Sequence, residues 1–225
     1  MFFYVGEDIT QPAMLTKSIL KADPAAHIIH CGDPQTPLID GVSVRTNCDG
    51  DRRSLMSFRL RAFAELGLAE PAMYVDTDML CMLPINSAAL TEEYPVRFCA
   101  RQFNLNWNFN GNFGGLDFSE FDQRPMGEVF PYVACATAAT NSTVWIDLYA
   151  ILGTLHPKFS LWYGDQEAMK RYCIAEGLTP DIGLPEYEYG CLPEYTDLAK
   201  TAALMHFKGA KRKDLMSAAF ANMPE

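Results

Sequence analysis

Short apolar runs alternate with amphipathic stretches along this chain, and the alternation predicts an α/β fold begun by a strand–helix–strand unit. Phe2 to Val5 is aromatic and β-branched and reads as a first strand, with Gly6-Glu7-Asp8 as its exit loop. Thr10-Gln11-Pro12 opens a helix, with Thr10 as the cap and Pro12 near the first turn. Met14, Leu15, Ser18, Ile19 and Ala22 supply its buried face. Ala26 to Cys31 reads as a second strand, closed by Gly32-Asp33-Pro34. Two strands joined through one helix imply a parallel pair and a right-handed crossover.

Pro34 to Asp51 is loop-like, with a strand at Val42 to Arg45. Leu55, Phe58, Ala62 and Leu66 recur at helical steps and predict a helix over Ser54 to Leu66 that leaves Arg59 and Arg61 off its apolar stripe. The helix ends near Gly67, and Glu70-Pro71 turns the chain into an apolar run, Ala72 to Val75, which reads as a buried strand. A second run, Met79 to Leu83, stops at Pro84. Further strands are expected at Arg97 to Ala100, at Ile182 to Leu184 and from Leu204 toward Gly209. Helices are expected over Asn141 to Leu152 and from Gly164 to Ala175. No repeat, linker or low-complexity segment interrupts residues 1–225, so the chain reads as one domain.

Polar residues that break this pattern are the candidates for chemistry. Asp76 and Asp78 stand between the two apolar runs, and carboxylates in so apolar a segment are costly unless something cationic compensates them. Two acids one residue apart at a strand end can share a divalent cation, which can in turn hold a diphosphate. Asp-Thr-Asp also suits an Asx turn. Arg59 reads either as a solvated helix arginine or as a guanidinium forked onto phosphate or sugar oxygens. Asp165 reads as an N-cap or, with Gln166, as an acid and amide facing a polyhydroxylated ligand. His206 is a core histidine or a ligand to metal or phosphate, and Lys211, Arg212 and Lys213 follow it closely. Phe109 to Leu116 sets three glycines among apolar residues, as where a ligand or another backbone comes close. It is no P-loop, because no Gly-Lys-Ser/Thr follows.

Composition narrows the classes. The 225 residues carry 28 acidic and 18 basic side chains, a formal charge of −10, which argues against bulk nucleic-acid or anionic-membrane binding. A phosphate ligand would therefore need local positive charge. Seven scattered cysteines without a Cys-x-x-Cys pair suit a reduced, cytoplasmic protein. The N-terminus lacks a basic region and turns acidic too early for a signal peptide. The most apolar long segment, Tyr132 to Leu152, is interrupted by Asn141, Ser142, Thr143 and Asp147, so no transmembrane segment is expected.

Taken in order, five stretches resemble the GT-A-fold nucleotide-sugar glycosyltransferases, and are most similar to glycosyltransferase family 8, the group that includes glycogenin and bacterial galactosyltransferases. They are the first strand with Asp8; Phe58-Arg59-Leu60 ahead of Tyr74-Val75-Asp76-Thr77-Asp78; Phe109-Asn110-Gly111; Asp165-Gln166-Glu167-Ala168; and His206-Phe207-Lys208-Gly209. The resemblance implies a single GT-A domain, with a Rossmann-like nucleotide-binding mixed sheet flanked by helices. It implies that Asp76, Asp78 and His206 ligate Mn²⁺ (or Mg²⁺), with two diphosphate oxygens completing the shell. Asp8 would lie near the uracil of a UDP-sugar, and Arg59 near the diphosphate or sugar. Asn110, Asp165 and Gln166 would surround the transferred sugar, with Asp165 and Gln166 flanking the anomeric carbon, and Gly209, Lys211 and Arg212 would belong to the donor site. The family's basic residue three after the glycine falls on Arg212, with Lys211 and Lys213 beside it. Phe118 to Phe159 has no counterpart in the resemblance, and acceptor specificity is expected there.

The activity so implied is metal-dependent, retaining transfer from a nucleotide sugar to a sugar, glycan or other small acceptor. Two other classes compete: a haloacid dehalogenase-type phosphatase, which also ends a strand in Asp-x-Asp, and an inactive nucleotide-binding or scaffolding protein. About seventy-five residues precede the motif here, and no acid follows Gly164-Asp165 where the phosphatases need one.

Overall fold

A computed structural model describes residues 1–223. Its strands are β1 (Phe2–Phe3), β2 (Ile29–Gly32), β3 (Val44–Asn47), β4 (Ala72–Val75), β5 (Met79–Cys81), β6 (Val96–Ala100), β7 (Asn112–Phe113), β8 (Leu116–Asp117), β9 (Tyr132–Ala139), β10 (Leu184–Pro185) and β11 (Leu204–His206). The longer helices are α1 (Thr10–Ala22), α2 (Leu55–Glu65), α3 (Thr143–Thr154), α4 (Gly164–Glu176) and α5 (Ala210–Ala221).

The expected strand–helix–strand unit is present: β1, β2 and β3 pair in parallel, with Phe2 opposite His30 and Ile29 opposite Val44. The main sheet runs β10-β6-β9-β4, with β9 antiparallel to both of its neighbours. Val75 N–H donates to the carbonyl of Met1 at 3.0 Å, which ties the β1 edge to β4 and makes one curled surface. β5 leaves that surface and pairs antiparallel with β11.

Helices cover both faces. α2, α3 and α4 pack on one side, around Phe63, Tyr74 and Trp145, whose rings lie 4.9 to 6.1 Å apart. On the other face Leu15 of α1 joins Phe2, Met73, Val75 and Met79. Tyr74 points one way and Met73 and Val75 the other, as a strand buried on both faces requires.

Several elements depart from the sequence reading. Thr10 does not cap α1: it is the first helical residue, Ile9 holds the N-cap position without a side-chain bond, and Oδ1 of Asp8, just before it, accepts from the Thr10 N–H at 3.0 Å and from its hydroxyl at 2.6 Å. The glycines after Asn110 serve a hairpin: Gly114 and Gly115, at φ of 59° and 81°, form the turn between β7 and β8. Lys211, Arg212 and Lys213 belong to α5. β9, the central strand, falls in the stretch that had no counterpart in the resemblance; all eight of its residues are buried, so no polar alternation marked it.

Candidate active site

Strand pairing assembles the acidic cluster. β4 delivers Asp76 just past its last residue, and the chain then turns through Asp78 into β5. β11 lies antiparallel to β5 with His206 opposite Met79, and Phe207 N–H donates to the Asp78 carbonyl at 2.8 Å. Residues more than a hundred positions apart thereby become neighbours. One ligand-type atom from each of Asp76, Asp78 and His206 lies within 4.8 Å of the others.

Charges around the cluster are nearly balanced. Nε2 of His206 is 3.3 Å from Oδ1 of Asp78, and Nζ of Lys213 is 3.5 Å from Oδ2. Burial acts to raise the Asp78 carboxyl, but the His206 and Lys213 side chains outweigh it and hold it at about 2. Burial acts to lower His206, and Cys135 with Asp78 outweighs it, pushing the ring up to about 10. Of these two, Asp78 bears the negative charge at neutral pH, since Cys99 and burial keep Cys135 a thiol. Burial pushes the Asp76 carboxyl up, against the pull of Arg59 beside it.

Arg59 is not a solvated helix arginine. Its side chain is 12% exposed, and Nη1 donates to the Tyr74 hydroxyl at 2.7 Å and to Asp76 Oδ1 at 3.0 Å. Nη2 forms a direct ion pair with Oδ2 of Asp165. The Tyr74 hydroxyl also bonds Asp76 Oδ1. One guanidinium thus joins the end of β4 to the start of α4, and its forked donors are spent on the protein's own acids.

Asp165 is not the N-cap. Tyr163, at φ 60°, takes that place, and Asp165 lies buried in the first turn of α4. Its Oδ1 accepts the N–H of Gln166 at 2.7 Å. Gln166 is half-buried, and its Oε1 accepts from Nη2 of Arg101 at 2.9 Å.

The remaining expected residues fall as follows. Asp8 is exposed and lines a cleft of about 430 Å³ with Tyr4, Gln11 and Lys213. Asn110 is exposed, and its Oδ1 accepts from the Asn112 N–H at 3.0 Å, a local turn outside the acidic cluster. Gly209, at φ 82°, turns the chain from β11 into α5. Arg212 donates from one guanidinium edge, Nε and Nη2, to both carboxylate oxygens of Glu194, and Lys211 is exposed. Lys213 is the member of the basic trio that reaches Asp78. A larger cleft, about 840 Å³, opens at the opposite end of β4 around Glu70, Pro71 and Ala72.

Three polar residues here had no role in the sequence reading. Arg101 is buried, and its Nε donates to the Phe130 carbonyl at 2.7 Å. It follows the apolar run of β6 directly, the same signal that marked Asp76 after β4. Glu186 is fully buried and accepts from the N–H groups of Gln102 and Phe103 at 2.7 and 2.8 Å. Lys208 pairs with it at 3.2 Å. Nothing local distinguishes Glu186 from its neighbour Glu188.

The donor set suits a hard divalent cation. Among the described residues Nδ1 of His206 is buried without a hydrogen-bond partner, and a cation ligated by the ring would displace a proton that the acidic surroundings hold there. Two carboxylates and one imidazole suit Mn²⁺ or Mg²⁺ better than a thiophilic metal.

No family model matches the sequence, and no curated protein matches it. The fold resembles a solved apo structure of WbbM, a bifunctional glycosyltransferase, with a TM-score of 0.62 and 12% identity. The match covers 99% of this chain and 50% of that one, so this chain spans about half the length of that protein. At this identity the likeness is one of fold.

Proposed function

We propose that this chain is a metal-dependent glycosyltransferase that moves a sugar from a nucleotide-diphosphate donor, a UDP-sugar, to a sugar, glycan or other small acceptor with retention of anomeric configuration. The convergence of Asp76, Asp78 and His206 at one end of the sheet carries this reading. The fold likeness to a glycosyltransferase supports it over the phosphatase class.

Asp76, Asp78 and His206 would hold Mn²⁺ or Mg²⁺. A divalent cation there supplies positive charge against the diphosphate as the sugar–oxygen bond breaks. Arg59 fixes Asp76 relative to Asp165, so the phosphate side and the sugar side keep one spacing. The cleft lined by Tyr4, Asp8 and Lys213 has the size of a small-ligand site and suits the nucleoside. Lys213, whose Nζ lies 3.5 Å from Asp78, would be a basic residue beside a phosphate held there. Seven free, buried cysteines suit a reducing compartment such as the cytoplasm.

Incubation with UDP-glucose, UDP-galactose and other UDP-sugars in Mn²⁺ tests the reading through released UDP. The expected outcome is release that a chelator abolishes, with an α-linked first product from an α-linked donor by NMR. A β-linked first product would mean inversion. No release from any nucleotide sugar, with turnover of p-nitrophenyl phosphate, would move the chain to the phosphatases.

A further inference from the structure

Gln166, which follows the Asp165 that pairs with Arg59, meets Arg101. Arg101 is 8% exposed, and its side chain donates to two neutral oxygens, the carbonyl of Phe130 and Oε1 of Gln166. The acid with the strongest pull on it is Glu186, and that carboxylate is taken by two backbone N–H groups and by Lys208. A guanidinium only donates hydrogen bonds, so the Gln166 atom it meets must be the oxygen. This contact settles which way round the Gln166 amide sits, a choice otherwise open for any glutamine. The nitrogen then faces away from Arg101. Among the described residues it has no protein partner, and it is not sealed from solvent.

We propose that Arg101 is a positioning residue that pins the carbonyl oxygen of Gln166 and so presents its NH₂, a hydrogen-bond donor, to an oxygen of the bound sugar or diphosphate. The ligand's identity rests on the glycosyltransferase reading; the pinning does not. An amide oxygen held by a cation is a poor nucleophile, because its lone pairs are engaged and its electron density is drawn toward the guanidinium. The same polarisation makes the N–H groups better donors. Asp165 is similarly occupied, with Oδ1 on the Gln166 N–H and Oδ2 on Arg59. The pair therefore offers a ligand an N–H donor, while each of its oxygens already accepts from the protein. A hydroxyl, ring or phosphate oxygen satisfies that donor, whereas a ligand N–H at the same place leaves both groups unpaired.

Glutamine side chains labelled with nitrogen-15 report the contact directly. The Gln166 NH₂ pair is identified by its disappearance in Gln166→Met. In Arg101→Met that pair should shift while the other glutamine pairs stay, and Arg101→Lys, which keeps one donor, should restore part of the shift. Titration of the native protein with UDP-glucose or UDP-galactose in Mn²⁺ should move the same pair, and calorimetry on the same samples records whether the nucleotide sugar binds. In transfer or donor hydrolysis, Arg101→Met should lower kcat about tenfold or more with UDP affinity little changed. The proposal is overturned if Arg101→Met folds and leaves the Gln166 resonances in place, or if a nucleotide sugar binds with measurable heat and does not move them. A shift in Arg101→Met with no heat from any nucleotide sugar leaves the pinning established and removes the glycosyltransferase reading instead.

Discussion

His206 lies directly opposite Met79 in the antiparallel pair of β11 and β5, and that register sets its imidazole against Asp78, the residue before Met79. Backbone pairing, set by apolar side chains on both strands, thus places a polar triad that neither strand carries alone.

Metal binding should depend on all three members of that triad. Asp76→Asn or Asp78→Asn should abolish Mn²⁺-dependent UDP binding with the fold intact. His206→Ala should weaken metal binding more than it lowers stability. Calorimetry with UDP and Mn²⁺, beside thermal melts, checks each variant. A His206→Ala protein that melts early yet keeps native metal affinity would return His206 to the core.

Arg59→Met should destabilise the protein by about 3–5 kcal/mol, the usual cost of stripping one partner from a buried ion pair. The loss is large because Asp165 is left buried without its guanidinium, and Asp76 loses its nearest cation. Urea unfolding at neutral pH measures it. A loss under 1 kcal/mol would mean that water replaces the guanidinium and that Arg59 does not brace the site.

Gly164 allows α4 to start where it does. A Cβ there would stand 2.0 Å from the Phe159 carbonyl oxygen and 2.5 Å from Leu152 Cδ1. The first of these is backbone and cannot swing aside, so Gly164→Ala should cost about 2–4 kcal/mol and displace Asp165 and Gln166. A melting temperature within a degree of the native one would contradict this packing.

Asp33 makes stability depend on acid. Its Oδ2 accepts from Arg52 Nε at 2.6 Å and its Oδ1 from Thr36, and these bonds hold the carboxyl at about 2. The folded value lies below the unfolded one, so the stabilisation is complete above about pH 4 and fades as pH falls toward 2. With Arg52 half-exposed, screening limits its size to about 1 kcal/mol. Asp33→Asn should therefore lower stability at pH 7, and the gap to the native protein should narrow between pH 4 and pH 3 in denaturant titrations.

Much of this was legible in the chain. Asp76 and Asp78 stood out because carboxylates inside an apolar run need compensation, a consequence of desolvation that holds before any fold is known. The run Ala72 to Val75 became β4 at the expected residues, and the parallel β1–β2 pair followed from the spacing of two strands around one helix. Family-like order brought His206 into the expected set, and the β5–β11 pairing brings it to the acids.

What only the tertiary structure decided is which charges meet. Arg59 lay off its helix stripe, where a solvated and a ligand-binding reading both stood, but α2 packs against α3 and α4, and that packing closes the β4 end over its guanidinium. Arg212 matched the resemblance in position, yet α5 rotates Lys213 onto Asp78 and gives Arg212 to Glu194. β9 escaped notice because burial on both faces removes the polar alternation that marks a strand. One-sided burial is a local pattern and can be read from spacing; ion pairs between distant segments depend on how helices pack on the sheet, which no single stretch encodes.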